Sequence, residues 1–343
     1  MKKVTMATVA EHASVSKSTV SQYLNKRYDY MSEETKKRIE ESIRELDYRP
    51  NILARSLKQK STTTIGVIVA NILHTFSSQI IRAIEDICNE ADFHLIVCNA
   101  DDNPVKEKKY IEMLQAKQVD GIVVLPTGEN KEIYKEMLEE NYPVIFVDRT
   151  VADISIPSVM LDNEKAANLA VQHFIDKGYR KIGIITNVIR NVTPRMERIT
   201  GYKKTLEKNS LPVDENYIKS LSVSEIQQGL KDMLSLEEPP EAVVAGNDLT
   251  LIEILKYVKE HQIKIPEDLA IIGIDDVSFA TFYEPALTIV EQPAFEIGKK
   301  AAELLMEKIQ KKEAVDDVMV YRFEPKLIIR NSAIEVEKKN RER

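Results

Sequence analysis

Short polar side chains share one face of a helix that the sequence predicts near the N-terminus. Residues 4–25 contain two short amphipathic segments, and the run Ser14-Val15-Ser16 between them breaks the pattern of apolar residues. The inward residues of the two segments are Met6, Val9, Ala10 and Ala13, then Val20 and Leu24. The outward residues of the second segment are Lys17, Ser18, Thr19, Ser21, Gln22 and Asn25. Hydrogen-bonding side chains of this kind suit the base edges and phosphates of DNA.

Two helices joined by a tight turn can place the second helix in the major groove of DNA. We expect base-edge contacts from Lys17, Ser18 and Gln22, and phosphate contacts from Ser16, Thr19, Ser21 and Asn25. Thr5 and Ser16 are expected to cap the first and the second helix. For these residues taken alone, the alternative is a surface hairpin of helices without a role in DNA binding.

Polar residues also follow the apolar strands of a second, larger region. From Thr62 onward, apolar strands alternate with amphipathic helices, which predicts parallel sheets with helices on both faces. The strands are predicted at about 64–70, 94–99, 121–126, 143–148, 181–186, 242–246 and 269–275. The helices are predicted at about 77–91, 104–117, 130–140, 163–177, 194–209, 223–235, 248–261 and 294–311. Ligands of such sheets bind beyond the carboxyl ends of the strands.

The predicted carboxyl ends carry side chains that can pair with hydroxyls or acids. They are Asn71, Asn99, Thr127, Asp148, Arg149, Asp162, Asn163, Asn187, Asn247, Asp248, Asp275 and Asp276. Any one of them could instead cap the following helix, and this is the role expected of Asp248. Between a strand and a helix on the same side lie Arg190, Arg195 and Arg198. A guanidinium is a rigid fork suited to a carboxylate or phosphate, although solvation at the surface is the alternative.

Apolar periodicity and helix signals divide the chain into a head, a linker, a core and a tail. A third helix begins after Met31, with Ser32 as its cap and acidic residues in its first turn. We predict a helical domain at 1–47, a linker at 48–61, a core at 62–332 and a disordered charged tail at 333–343. Crossovers near 291–293 and 323–325 predict two lobes, about 62–161 with 293–323 and about 162–292 with 324–332.

The charge of the chain is divided unevenly. The net charge of the 343 residues is −7, but residues 1–60 carry +5 and the remainder carries −12. This division predicts that only the head meets nucleic acid. No apolar run is as long as a membrane span, and the N-terminus lacks the apolar segment of a signal peptide. We therefore expect a cytoplasmic protein without a membrane partner, whose Cys88 and Cys98 are buried and reduced.

The sequence gives little support to metal binding or catalysis. Its five histidines lack the spacing of metal ligands. It also lacks a phosphate-cradling glycine loop, G-x-S-x-G and H-E-x-x-H. We predict neither a metal, a cofactor nor an enzyme activity.

The spacing of residues 4–25 resembles the helix-turn-helix that opens the chain in the LacI/GalR family of bacterial repressors. Ser14 stands where the turn of that family usually has glycine, which adopts a left-handed conformation at low cost. The segment RPNILARSL at 49–57 is similar to the family's hinge helix, which orders on operator DNA and enters the minor groove. The resemblance implies a wedge at Leu57 beside Ala54, with Asn51 and Arg55 reaching the DNA backbone. From composition alone, a plain flexible tether is the alternative.

The resemblance extends to about Ser332 and implies a two-lobed α/β core like that of periplasmic binding proteins. Arg198, three residues before Gly201, matches the family's effector-binding arginine, and Phe76 matches an aromatic position of the cleft. Asp148 in FVDR, Asn247 in NDL and Asp275 in GIDD match three further effector-binding positions of the family. Arg190 and Thr193 fall near the family's effector loop, whose length varies. The candidate effector-binding residues are Phe76, Asp148, Arg149, Arg190, Thr193, Arg198, Asn247 and Asp275. The segment around 220–222 has no aromatic residue, which disfavours a flat purine effector.

We therefore expect a homodimeric repressor of a carbohydrate or sugar-acid catabolic operon, which binds operator DNA and a small effector. Arginines beside Asn and Asp residues indicate a sugar acid, and the resemblance to regulators of pectin and hexuronate use points to 2-keto-3-deoxygluconate. Whether the effector is an inducer or a corepressor stays open. One alternative is a global carbon regulator that acts with a phosphorylated carrier protein, which the acidic core disfavours. Others are a solute receptor, which the basic head disfavours, and an enzyme with a regulatory head.

Overall fold

The computed structural model describes residues 4–29, 31–49, 61–188, 192–311 and 319–335. The chain divides into two compact units, Met1–Thr62 and Thr63–Arg343. Several predictions concern residues outside the described ranges, namely the hinge residues Asn51, Ala54, Arg55 and Leu57, the effector candidate Arg190, and the tail from 336 onward.

The first unit contains the three predicted helices, α1 (Met6–His12), α2 (Lys17–Leu24) and α3 (Glu33–Glu45). Side-chain oxygens of Thr5, Ser16 and Ser32 cap them as predicted. They accept from the backbone N–H three residues later at 3.3, 3.1 and 3.2 Å. Each such cap is worth about 1 kcal/mol. Ser14 adopts a φ of 52°, so the turn takes the left-handed conformation without a glycine.

A small apolar core joins the three helices of this head. It is formed by Val9, Ala10, Ala13, Val20, Ile39 and Tyr48. Tyr48, which was assigned to the linker, belongs to this core, because it is only 8% exposed. The backbone N–H of Tyr48 also donates to the Ile43 carbonyl at 3.0 Å.

The second unit contains two six-stranded sheets. The strands of the first sheet are β1 (Thr64–Val69), β2 (His94–Asn99), β3 (Gly121–Val124), β4 (Val144–Val147), β5 (Ser158–Leu161) and β11 (Val320–Phe323). Their order across the sheet is β11-β5-β4-β3-β1-β2, and every neighbouring pair is parallel. We call this sheet and its helices the first lobe.

The strands of the second sheet are β6 (Ile182–Asn187), β7 (Ile218–Leu221), β8 (Ala242–Ala245), β9 (Ala270–Ile274), β10 (Thr288–Glu291) and β12 (Lys326–Ile328). Their order is β12-β10-β9-β8-β6-β7. This sheet and its helices form the second lobe. The predicted parallel sheets are confirmed, and the second sheet adds one strand, β12, that runs antiparallel to β10. β12 follows β11 of the first sheet after only two residues.

Seven of these strands coincide with predicted ones, whereas β5, β7, β10, β11 and β12 were not predicted. Each of these five short strands contains a polar or charged residue, which interrupts the apolar run. The equally short β3, β4 and β8 contain none, and their apolar runs made them recognisable.

The eight predicted helices of the second unit are present, with ends that differ by a few residues. They are α4 (Thr75–Glu90), α5 (Pro104–Ala116), α6 (Lys131–Glu139), α7 (Asn163–Asp176), α8 (Thr193–Lys208), α9 (Ile226–Leu234), α10 (Asp248–Glu260) and α11 (Ala294–Lys311). Helix α11 returns to the first lobe, where Ile297, Ala301 and Leu305 join the apolar core that includes Ile80 and Ile84. The chain thus passes between the lobes after β5, β10 and β11.

The predicted start of a disordered tail at residue 333 is wrong. Asn331–Ala333 form a 3-10 turn, and Ala333 is fully buried. The ring Nε2 of His173 lies 2.8 Å from the Ala333 carbonyl, and the Tyr179 hydroxyl donates to the Ile334 carbonyl at 2.9 Å. The apolar side chain of Ala333 and these buried polar partners fix the backbone to the second lobe.

Cys88 and Cys98 are buried free thiols, as predicted. Within the described ranges, no helix has the length and apolar character needed to cross a membrane. The same ranges contain no cluster of His, Cys, Asp and Glu suited to holding a metal ion.

Helix α8 approaches the start of α7 so closely that only glycine fits at position 201. A Cβ atom at Gly201 would lie 2.3 Å from the Glu164 carbonyl oxygen and 2.8 Å from its Cα. We expect Gly201→Ala to lower the free energy of unfolding by about 3 kcal/mol, because backbone atoms must move apart. Glu207→Ala, on the exposed side of α8, is the control and should change it by less than about 0.5 kcal/mol. Equal urea midpoints for the two variants would contradict this packing.

Candidate functional site

Helix α2 exposes the residues predicted to contact base edges. Lys17, Ser18 and Gln22 are exposed, whereas Val20 is buried and Leu24 packs against the core of the head. An exposed face of short polar side chains on the second helix of such a pair is the geometry that enters a DNA major groove.

The residues predicted to contact phosphates also hold α2 together. The Oγ of Ser16 caps the helix and lies 2.6 Å from Ser18 Oγ and 2.8 Å from Thr19 Oγ1. The Nδ2 of Asn25 donates to the Ser21 carbonyl at 2.7 Å. Ser16 and Asn25 thus flank α2, while Thr19 and Ser21 lie within it, and the contacts of all four with phosphates stay predictions.

In the second unit, the carboxyl ends of strands from both lobes surround a small cavity of about 40 Å³. Six of the eight predicted effector residues line it, namely Phe76, Asp148, Arg149, Arg198, Asn247 and Asp275. The other lining residues are Ala70, His74, Ser77, Leu125, Val192, Pro194, Arg195 and Gln292. Asp148 and Asp275 have φ values of 65° and 88°, a conformation uncommon outside glycine that turns each carboxylate out of its strand direction.

Thr193 is not among the lining residues of this cavity. It begins α8 and pairs with Thr150 of the first lobe, with 3.1 Å between the two hydroxyl oxygens and 3.3 Å from the Thr150 N–H to the Thr193 hydroxyl. Its role in this conformation is to join the lobes beside the cleft.

Arg198 is buried on the second-lobe side of the cavity, where its polar partners are uncharged. Its Nε donates to the Asn163 side-chain oxygen at 2.9 Å, and its Nη1 donates to the Gly246 carbonyl. Within the described residues, no carboxylate lies in ion-pair distance of Arg198. A ligand carboxylate would therefore meet a cation that makes no direct ion pair of its own within these residues.

Asp275 lies on the same side and is the most perturbed carboxyl of the cleft. Burial raises its pKa to about 6, with the charge of Asp248 adding to the rise and Arg198 opposing it. Its carboxylate accepts from Gln292 Nε2 and, at 3.4 Å, from the Asp248 N–H. Gln292 was not predicted as a site residue, and its buried Oε1 has no hydrogen-bond partner. It was interpreted only as part of a crossover, because nothing local to the sequence aims it into the cleft.

Asn247, rather than Asp248, caps the helix that follows β8. Its Oδ1 accepts from the Thr250 N–H at 2.9 Å, and its Nδ2 donates to Asn187 Oδ1. Asp248 is therefore not the N-cap, although its Oδ1 accepts from the Leu249 N–H of the first turn at 2.8 Å. The carboxylate of Asp248 also reaches across the cleft, 2.5 Å from His74 Nδ1 and 2.8 Å from the Thr75 N–H. Burial alone would raise the pKa of Asp248, but His74 and these donors hold it below its usual range.

Asp102 joins two arginines and was also missed by the sequence analysis. Its Oδ1 accepts from Arg149 Nη1 at 2.6 Å and its Oδ2 accepts from Arg195 Nη2 at 3.2 Å. Arg149 belongs to the first lobe and Arg195 to the second, so this carboxylate bridges the cleft. Burial would raise the pKa of Asp102, but the two guanidinium charges lower it to about 2. The available signal was its position just after β2, at the same sheet edge as the predicted site.

Two family models match this chain. Residues 5–51 match the bacterial regulatory proteins of the lacI family, and residues 171–333 match the periplasmic binding protein-like domain. The chain is 47% identical over 336 residues to the probable HTH-type transcriptional regulator EndR of Paenibacillus polymyxa, covering 97% of this chain and 99% of that protein. It is 33% identical over 337 residues to the HTH-type transcriptional regulator KdgR of Bacillus subtilis strain 168, covering 96% and 97%.

A solved structure of the lac repressor dimer bound to operator and the anti-inducer ONPF is also similar. Its TM-score is 0.84 at 25% identity, covering 97% of this chain and 100% of that chain. The chain therefore belongs to the lacI family of bacterial regulatory proteins. It is a DNA-binding transcription regulator, not an enzyme, and the predicted fold of a helical head with a two-lobed α/β core is confirmed.

The raised pKa of Asp275 predicts a pH-dependent difference between the wild type and Asp275→Asn. The folded chain binds a proton at Asp275 more tightly than the unfolded chain, so this carboxyl contributes stability below about pH 4. That contribution is lost as the pH rises through about 6. We expect the unfolding temperature of Asp275→Asn to rise relative to the wild type between pH 4 and 6.5, then to level off. A difference that stays constant from pH 4 to pH 7.5 would contradict the pKa assigned to Asp275.

Proposed function

We propose that this regulator is a repressor of a carbohydrate or sugar-acid catabolic operon, whose operator affinity is controlled by a sugar acid bound between the lobes. The observation that supports this most strongly is that Arg198 is buried without a carboxylate of the described residues in direct contact. It is a buried cation at the cavity whose own hydrogen bonds go to neutral oxygens. A carboxylate is the group that such a guanidinium binds best.

The rest of the lining suits the hydroxyls of a sugar. Asp275 is a strong acceptor, Asn247 has both a donor and an acceptor, and the free Oε1 of Gln292 accepts. The specific ligand that we propose is 2-keto-3-deoxygluconate, which carries one carboxylate, one keto oxygen and several hydroxyls. Asp148, Arg149, Thr193 and Phe76 stay in the proposed effector set, although Thr193 must first leave Thr150.

The size of the cavity links effector binding to a change between the lobes. Sites for small molecules usually enclose about 300–1,000 Å³, whereas this cavity has about 40 Å³. A sugar acid therefore requires the lobes to move apart or rearrange. A ligand that binds one lobe arrangement better than the other shifts the equilibrium between them, and so can change operator affinity.

We propose further that the protein acts as a homodimer on a pseudo-palindromic operator in the cytoplasm. The two heads would each place α2 in one half-site, about one helical turn of DNA apart. Lys17, Ser18 and Gln22 would contact base edges, while Ser16, Thr19, Ser21 and Asn25 would contact phosphates. The charge of +5 on residues 1–60 supports this division of roles.

Gln22 provides a test of base readout. A bidentate contact between Gln and adenine is worth about 1–3 kcal/mol of discrimination. We expect Gln22→Ala to relax the preference at one base pair in each half-site, measured by binding to a set of operators substituted singly at every position. Glu41→Ala, exposed on α3, is the control and should leave the preference unchanged. Equal weakening on every operator by Gln22→Ala would contradict the placement of α2.

Arg198 provides a test of the sugar-acid effector. Calorimetry would compare 2-keto-3-deoxygluconate with 3-deoxyfructose, its neutral analogue in which a hydroxymethyl group replaces the carboxylate. We expect the acid to bind more tightly to the wild type. Arg198→Ala should lose this preference and cost several-fold to a thousand-fold in affinity for the acid, about 1–4 kcal/mol. Arg198→Lys keeps the charge but loses the planar fork, so it should also be impaired.

Arg82→Ala is the control for this experiment, because it removes an exposed arginine of α4 that pairs with Asp86. It should bind the acid as the wild type does. Equal affinity of the wild type for the acid and the neutral analogue would refute the sugar-acid effector, but not DNA binding by the head.

A further inference from the structure

The contact of Asp102 with two arginines has the form of an occupied anion site. We propose that Arg149 and Arg195 form an anion-binding site across the cleft, that Asp102 occupies it as an internal ligand, and that an acidic effector binds by replacing Asp102. The last part rests on the proposed sugar-acid effector, whereas the first two parts do not.

The two guanidinium groups are buried and come from different lobes. Arg149 is 5% exposed and Arg195 is 9% exposed, but the Asp102 side chain is 32% exposed. Asp102 is therefore the more exposed partner of two nearly buried cations. Both arginines also line the cavity between the lobes, so an anion bound in the cavity would meet the groups that Asp102 now contacts.

The arginines retain hydrogen-bonding capacity for an incoming anion. Each gives Asp102 one N–H, although a guanidinium carries five donors and can bind a carboxylate with two at once. The buried Nε of Arg149 has no hydrogen-bond partner, with Asp148 Oδ2 at 3.5 Å as its nearest charge. A ligand that forms a fork with one arginine and a single contact with the other would make three hydrogen bonds, whereas Asp102 makes two.

The electrostatics require that an anion stay at this position. Burial lowers the pKa of Arg195, and the neighbouring charge of Arg149 lowers it further, while Asp102 opposes both effects. Without Asp102, Arg149 would keep only the weaker contact with Asp148 at 3.5 Å, and Arg195 would lose its ion pair, which is strongly unfavourable for a buried cation. Asp102 can therefore leave only when another anion takes its place, which makes the site selective for acids over neutral sugars.

Asp102 lies in the loop between β2 and α5, and the backbone conformation of this loop directs its carboxylate to the two arginines. Asp101 and Asp102 have φ values of 53° and 50°, two consecutive left-handed residues before α5. Such residues are uncommon and concentrate where a side chain must be aimed at a site. The Asp102 N–H donates to the Ala70 carbonyl at 2.7 Å, which fixes the loop to the end of β1.

Asp102→Asn in the full chain tests the site, with inorganic sulfate as the probe. Because the variant removes the ion pair of Arg195 and leaves Arg149 with Asp148 at 3.5 Å, we expect sulfate to bind it at least ten-fold more tightly than it binds the wild type. Asp101→Asn is the matched control. It makes the same charge change at the neighbouring residue, whose carboxylate pairs with the exposed Lys106. It should bind sulfate as the wild type does, and so should Asp102→Glu, which retains the carboxylate.

Sulfate affinity within two-fold of the wild type for Asp102→Asn would overturn the proposal. If unpaired cations destabilise that variant, its unfolding temperature should rise with sulfate concentration more steeply than that of Asp101→Asn. Adding Arg195→Gln should remove the rise, and persistence of the rise would also overturn the proposal.

The proposed effector is tested separately. If Asp102→Asn binds sulfate more tightly but the wild type does not bind 2-keto-3-deoxygluconate, the effector is refuted and the anion site is not. If the wild type binds 2-keto-3-deoxygluconate but Asp102→Asn binds sulfate no more tightly, the anion site alone is refuted.

Discussion

Charge buried between the lobes must be compensated, and this requirement organises the cleft. Three of the arginines that line it are each less than a tenth exposed. None could stay ionised there without acceptors. The Asp102 carboxylate accepts hydrogen bonds from Arg149 and Arg195, whereas neutral oxygens of Asn163 and Gly246 accept those of Arg198. Of these contacts, the one between Asp102 and Arg195 joins the two lobes, so it both compensates charge and holds the lobes together. A ligand that replaces this contact must therefore also change the lobe arrangement.

Several polar contacts join the two lobes in this conformation, and their energies are of the size that allostery needs. They include the contacts of Asp248 with His74 and Thr75, of Asp102 with Arg195, of Thr150 with Thr193 and of Arg322 with Glu197. A hydrogen bond to a charged group contributes about 1.5–3 kcal/mol, and coupling between sites is typically about 1–3 kcal/mol. Exchanging one or two of these contacts for contacts with an effector is enough to shift the equilibrium. The rest of each lobe can then remain rigid, because its parallel sheet and apolar core are not involved.

Local rules predicted much of this structure, and long-range contacts account for what they missed. The caps at Thr5, Ser16 and Ser32 follow from side chains within three residues, and the long strands follow from apolar runs. The partners of Asp102, His74 and Gln292 depend on which loops meet, so no local pattern contains them. The wrong N-cap assignment of Asp248 has the same origin. Asn247 caps the helix, and the Asp248 carboxylate contacts His74 and Thr75, which are distant in sequence. Tyr48 and Ala333 were assigned to a linker and a tail, although each is buried against distant helices.

The division of charge along the chain explains why anion recognition in the cleft has to be local. Residues 61–343 carry −12, so their long-range field repels phosphates and acidic ligands alike. This repulsion favours DNA contact through the basic head alone. It also opposes the approach of an anionic effector, but salt screens it beyond about 8–10 Å. Within a few ångströms, buried guanidinium groups in a medium of lower polarity outweigh it. The arginines can therefore select an acid inside an acidic protein, provided that their own counter-charge can be exchanged.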